Sequence, residues 1–180
     1  GGLVGSEMCI RDWRYAYSLG LGADHIINNW GIDENLPRLA GEAANGAMGA
    51  AVCAFYGEDQ PLMKEVVAYG KKYNPGVPME KRTVRTIQGW SNALALWEAL
   101  KRADKAGDLS GQSILKNGFE TMEGYELGLG GAPLTYRDND HRISGKIPIY
   151  EVVDGKIVLL TVVDLKGRWP QKWDKEWLGW

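Results

Sequence analysis

The side chains able to do chemistry are few and scattered. Two histidines, His25 and His141, and two cysteines, Cys9 and Cys53, are spread over 180 residues. Nothing has CxxC spacing, so neither a disulfide framework nor a metal site is expected. A nucleophilic serine would need a base and a sharp turn to present it, and the sequence holds no GxSxG elbow. Asp33 and Glu34 are adjacent, which aims their carboxylates apart and fits helix capping better than acid–base work. The run "LGLGG", Leu127 to Gly131, is followed by Pro133 instead of the Lys-Ser/Thr of a phosphate loop, and reads as a flexible connector. "DNDH", Asp138 to His141, has oxygens at calcium-like spacing, but Arg142 and Ile143 stand where such a loop needs an oxygen and a glycine. It reads as a turn held by side-chain to backbone bonds. No catalytic residue, metal or cofactor is expected.

One stretch keeps a binding chemistry open. In "HIINNWGIDEN", His25 to Asn35, a short apolar strand breaks into Asn28, Asn29, Trp30 and Gly31. A tryptophan in a polar turn is either a lid over a core edge or a flat surface for a ligand. Asn28 is better explained as a turn former, whereas Asn29 and Trp30 are candidate contacts.

The elements that must position this turn follow from the pattern of apolar residues. Trp13 to Leu19 reads as the end of a helix stopped by Gly20 and Gly22. His25 to Ile27 reads as a buried strand, and Asp33 as the N-cap of a helix over 34–44 with Pro37 in its first turn or so. "GAMGAAVCAF", Gly46 to Phe55, suits a second strand. Asp59 is placed to cap a helix over 60–73, with Leu62, Val66, Tyr69 and Tyr73 on one stripe. A longer helix spans about Thr83 to Ala106, with Trp90 and Trp97 on its apolar, core-packed face. Ser110 caps a third helix running towards Gly124, with Ile114, Leu115, Phe119 and Met122 inward. The final third is β-rich, and Asp154-Gly155 within "KIPIYEVVDGKIVLL" is a hairpin signal. The Trp-rich tail from Gly167 is expected to wrap a surface by its rings.

Composition narrows the classes. The apolar fraction of 44% and charged fraction of 24% are those of a globular chain, and the net charge of −2 gives no footprint for nucleic acid. The longest apolar run, Ile157 to Val163, is far short of the ~20 residues of a membrane helix. Eight Trp and eight Tyr against two Phe favour aromatics with a polar handle. Residues 1–12, "GGLVGSEMCIRD", lack the regions of a secretory signal and resemble adaptor read-through; they are expected to be a non-native or disordered leader, with native sequence lost upstream.

The ordered series "NNWGID", "LAGEAANG", "AMGAAVCAF", "YGED", "QGWSNALALWEALKRA", "PLTYRDNDHR" and "IPIYEVVDGKIV" resembles the type I solute-binding proteins of ABC transporters, in the branched-chain amino-acid subfamily. The likeness covers Trp13 to Trp180. It implies an α/β fold of two Rossmann-like lobes with ligand between them, here incomplete, with the first lobe largely missing. On this basis 13–55 is a second-lobe segment, 56–145 a crossover and first-lobe helical segment, and 146–180 the return strands of the second lobe and the tail. The terminal hairpin would pack beside the strand at Ile26. The resemblance further implies an extracytoplasmic or periplasmic subunit, no enzyme, that binds a small organic solute and hands it to permease partners. A ligand-sensing regulator of the same fold is the alternative. Trp30 would be a wall of the site, Asn29 its polar neighbour and Tyr56 a crossover residue near it. Family members that bind aliphatic amino acids carry an acidic residue at the position matching Trp30, facing the ligand's ammonium. Its replacement by an indole points to aromatic acids, small amides or ureas.

Overall fold

The computed structural model describes residues 6–22, 24–138 and 140–177, with side chains from Ile10 onward. Two compact units divide the chain: unit 1 comprises Gly1–Val52 and Pro148–Val163, and unit 2 comprises Cys53–Ile147 and Asp164–Trp180. The tail after Asp164 thus groups with the helical middle of the chain and not with the hairpin that precedes it.

Unit 1 is a small sheet with helices packed on it. Helix α1 (Ser6–Ser18) ends where Gly20 takes φ 66°, a left-handed value that costs glycine nothing. Residues 6–12, which the sequence suggested leaving out of the fold, are its first turns, and Ile10 joins Trp13 against Leu36, Ala40, Ala44, Ala47 and Val152. Strand β1 (Ile26–Ile27) pairs in parallel with β2 (Met48–Ala50), which pairs antiparallel with β3 (Lys146–Val153). The hairpin partner β4 (Lys156–Asp164) completes the order β1-β2-β3-β4. The hairpin is therefore beside β2, with β2 between it and the strand at Ile26, and not next to that strand as expected.

Strand alternation decides burial in this sheet. Ile27 packs on the core cluster, while Ile26 faces the other way and is 78% exposed, so β1 is half-buried and not the buried strand that its apolar sequence suggested. Gly49 lies on the core side because space is short there. A Cβ on it would fall 2.9 Å from both Ile27 Cγ1 and Ile32 Cβ. The run expected to form one strand from Gly46 to Phe55 is extended only at β2. Beyond it Ala51, Cys53, Ala54 and Phe55 are buried in irregular backbone. The hairpin turns at Asp154 and Gly155, with φ of 49° and 72°, and Gly155 N donates to Asn45 Oδ1. Two consecutive positive φ values match the twist of an antiparallel pair.

Unit 2 is built around α3 (Met63–Tyr73) and α4 (Val84–Lys105). Helix α3 starts later than Asp59 would have set it, and its N-cap Leu62 makes no side-chain cap. Thr83, expected only as the approximate start of this helix, is its N-cap and accepts from Arg85 N. The buried stripe of α4 is Val84, Ile87, Ala95, Ala99 and Ala103, whereas Trp97 is 60% exposed. Small side chains win that face because a neighbour comes very close: a Cβ on Gly118 would meet Ala99 O at 2.6 Å. Gly118 belongs to the helical stretch that begins with α5 (Gly111–Ser113), capped by the Ser110 hydroxyl, and continues to Thr121.

The segment Leu127–Gly131 is not a loose connector. Leu129 is fully buried, its carbonyl accepts from Ala54 N, and a Cβ on Gly130 would strike the Ala54 backbone. Arg82, 7% exposed, donates from Nη2 to the carbonyls of Gly70, Asn74 and Val77. A guanidinium there ties the carbonyls at the end of α3 to the chain that follows it and meets the negative end of the helix dipole. After β4, Asp164 caps the short helix α6 (Leu165–Arg168) through Gly167 N.

Candidate functional site

The turn after β1 is held by its own polar groups. Asn28 Oδ1 accepts from Trp30 N at 3.0 Å, and Asn28 O accepts from Gly31 N at 3.1 Å. This is the turn-forming role expected of Asn28. On the far side, Ile32 is 1% exposed and anchors the turn in unit 1, and Asp33 Oδ1 accepts from Asn35 N at 2.8 Å at the start of α2 (Asn35–Ala40). The pinned backbone leaves the Trp30 side chain 69% exposed. Such a ring is not a lid over the core edge. It presents apolar surface and one N–H donor at the carboxyl end of β1, where open α/β sheets place ligands.

Asn29 shares this turn and is half-buried. Tyr56 belongs to unit 2. Its hydroxyl is buried and has no hydrogen-bond partner among the described residues. A Cβ on Gly70 would come within 3.2 Å of that hydroxyl and within 2.5 Å of Arg82 Nη1, so the phenol tip lies against α3. The structure thus brings Asn29 and Trp30 together in unit 1 and carries Tyr56 in the other unit.

The turn at Asp138 to His141, expected to be held by side-chain to backbone bonds, is so held, and it also carries an ion pair that was not singled out from the sequence. Asp140 receives Arg142 on both carboxylate oxygens, Nε at 2.8 Å and Nη2 at 2.9 Å, and Asp140 Oδ1 also accepts from Arg142 N. The same guanidinium lies 4.1 Å over the Trp173 ring and donates to Trp173 O. The hydrogen bonds from Arg142, chiefly, hold the Asp140 carboxyl below its usual pKa, and the same pair raises that of Arg142. This anchors the tail by one ring, Trp173, buried to 7% exposure, while Trp169 and Trp177 meet edge to face at 6.0 Å. The "RDNDHR" run was the available signal; its partner Trp173 is 31 residues from Arg142 and could not be paired with it from sequence.

Among the described residues no group of three His, Cys, Asp or Glu side chains could hold a metal ion, and no helix is long and apolar enough to cross a membrane.

The comparisons place this α/β sheet in a known fold. The sequence profile of the periplasmic binding protein family matches residues 4–156, and the chain belongs to that family. Its fold is the type I periplasmic-binding fold, of which this chain is an incomplete version. A branched-chain amino-acid ABC transporter structure from Thermus thermophilus with bound valine superposes with a TM-score of 0.74 at 23% identity, covering 85% of this chain and 42% of that one. A fatty acid ABC transporter substrate-binding protein from Thermomonospora curvata gives 0.72 at 22% identity, with 89% and 41% covered. A leucine-binding protein from Thermotoga maritima gives 0.66 at 16%, with 90% and 43% covered. At these identities the likeness establishes the fold. The chain spans about two fifths of the length of these relatives. No curated protein sequence matches it.

Proposed function

We propose that this chain is part of the extracytoplasmic solute-binding subunit of an ABC importer and binds a small organic solute without chemistry. Family membership supports the class, and the 69% exposed Trp30 on a pinned turn is the observation that carries the site. Trp30 serves as the stacking wall, Asn29 as its polar neighbour, and Tyr56 as a contact from the crossover. In this reading 13–55 is a second-lobe segment, 56–145 the crossover and first-lobe segment, and 146–180 the return strands of the second lobe followed by the tail, which groups with unit 2. The permease subunits of the importer are the protein partner.

The solved relatives were described with different solutes, valine and leucine in two cases and a fatty acid in another, so the fold alone leaves the solute open. An indole in place of a carboxylate removes the counter-charge for an ammonium group and offers an apolar face worth about 0.5–1.5 kcal/mol to an aromatic ligand. Aromatic acids and small amides are therefore favoured over simple zwitterions. The test is a thermal-shift and calorimetric screen of amino acids, aromatic acids and small amides, on this sequence extended to the length of its relatives. Wild type is expected to prefer an aromatic acid or amide, Trp30→Ala to lose affinity with little change in melting, and Trp30→Glu to gain affinity for leucine-like amino acids. A wild-type preference for leucine or valine, or a Trp30→Ala variant that binds as tightly but melts many degrees lower, would make Trp30 a packing residue.

A further inference from the structure

Unit 2 contains an open cavity of about 470 Å³, within the roughly 300–1,000 Å³ usual for small-ligand sites. It lies between the loop Gly124–Gly145 and the start of the tail, and its charged lining is Arg137, Asp140, Arg142, Lys146, Asp164 and Lys166. The carboxylates there are already engaged. Asp140 is held on both oxygens by Arg142, and Asp164 Oδ1 accepts from Gly167 N at 2.7 Å. Of the cations, Arg142 is matched by Asp140, and Arg137 reaches only the exposed Glu123, at 3.5 Å. Lys166 is near enough to Asp140 to help lower its carboxyl pKa, after the larger effect of Arg142. The ammonium groups of Lys146 and Lys166 make no ion pair or hydrogen bond among the described residues.

The segments bearing these two lysines are locked to each other. Leu165 N donates to Gly145 O at 2.7 Å, and a Cβ on Gly145 would fall 2.5 Å from Lys166 Cβ and 3.1 Å from Lys166 N. Lys146 and Lys166 each follow directly on one end of that hydrogen bond. The Arg142 guanidinium, fixed by Asp140 and by the Trp173 ring and carbonyl, forms a rigid part of the same lining. Like charges gathered on one cavity raise its free energy until a counter-ion enters, and the held backbones of Lys146 and Lys166 lower part of the entropy cost of binding one.

We propose that this cavity is a binding site for a small multivalent oxyanion of the phosphate type, with Lys146 and Lys166 as its principal ligands and Arg137 as a third cation at the same lining. Charge-assisted hydrogen bonds from two ammonium groups suit such an anion better than a monocarboxylate, which carries one charge. The site is independent of the solute proposed for Trp30 and needs no residue of unit 1. Its ligand is either a free anion or the phosphate of a lipid headgroup.

The test is isothermal titration of the 180-residue chain with inorganic phosphate and pyrophosphate at low salt, together with Lys146→Gln, Lys166→Gln, the double variant, and Lys105→Gln on exposed α4 as a control. Pyrophosphate is expected to bind more tightly than phosphate. Each single variant should weaken it about tenfold, Lys166→Arg should retain it, and Lys105→Gln should leave it unchanged. All three lysines are exposed, so the variants should melt as wild type does. Equal affinity in wild type and double variant, or no heat at millimolar pyrophosphate, would overturn the site. Sedimentation with vesicles of phosphatidic acid, and not of phosphatidylcholine, competed by pyrophosphate, would assign the headgroup as the source; sedimentation with neither assigns the free anion.

Discussion

Trp30 and Gly49 show how one small region separates a surface role from a packing role. Trp30 is large and sits in solvent, and its turn is held by Asn28 and anchored by Ile32, so little of the core depends on the ring. Gly49 is minimal and sits where Ile27 and Ile32 leave no room. Gly49→Ala is therefore expected to destabilise the protein by about 1–3 kcal/mol through overpacking, read as a lower urea midpoint with an unchanged slope. Trp30→Ala should stay within about 0.5 kcal/mol of wild type in the same titration. If the two substitutions cost the same, the turn contributes to the core in a way its exposure does not suggest. The turn itself was legible because Asn-Asn-Trp-Gly names its own backbone geometry. The packing of the Tyr56 hydroxyl beside Gly70 and Arg82 was not, because those partners are up to 26 positions away.

Local hydroxyl caps agree with the sequence, whereas the Asp59 cap and the elements defined by close approach do not. Ser110 caps the helix it was expected to cap, and Thr83, expected only near the start of the long helix, caps that one, because a hydroxyl and the amide it accepts from are neighbours in the chain. The apolar stripe of α4 is misleading in sequence because Trp outranks Ala in apolarity, while burial is decided by how near Gly118 comes to Ala99. "LGLGG" misleads for a similar reason, since its glycines serve contact with Ala54 and Leu62 as much as flexibility. The hairpin turn is the strongest local signal and its strand partner the weakest, because a turn does not say which edge the ribbon will join. Gly155 has φ 72°, and a Cβ placed there would have nothing within 4 Å, so Gly155→Ala isolates the backbone cost. A loss of about 1 kcal/mol is expected by chemical denaturation. Asp154→Asn, with φ 49° at a residue type that tolerates it, should be near neutral.

At the scale of the whole molecule, acid sensitivity can be traced to how the tail is held. The folded pKa of Asp140 is depressed, chiefly by its hydrogen bonds with Arg142, so the carboxylate contributes stability above its unfolded pKa. That contribution is lost as pH falls through the carboxylate range towards the folded value. Melting temperatures measured from neutral pH down should show wild type above Arg142→Met at neutrality, with the gap narrowing below about pH 4. The part of the gap that persists in acid measures the contacts of Arg142 with Trp173, over its ring and to its carbonyl, which do not titrate. A gap that stays constant with pH would assign the whole effect to those contacts with Trp173. Neither the pair nor its ring could be seen as a unit in the sequence, since one lies in a loop and the other in the tail.

The buried thiol of Cys53 has a use that follows from its place alone. It is 1% exposed, with Sγ 3.9 Å from Val84 O, at the start of unit 2. A maleimide can reach it only when that packing opens, so in a Cys9→Ser background its labelling rate becomes a clock for the opening of the protein around α4. Labelling should be slow in buffer and accelerate with urea in step with the loss of helical circular dichroism. Fast labelling well before that loss would reveal that this corner of the protein breathes separately from the rest, which no static distance could report.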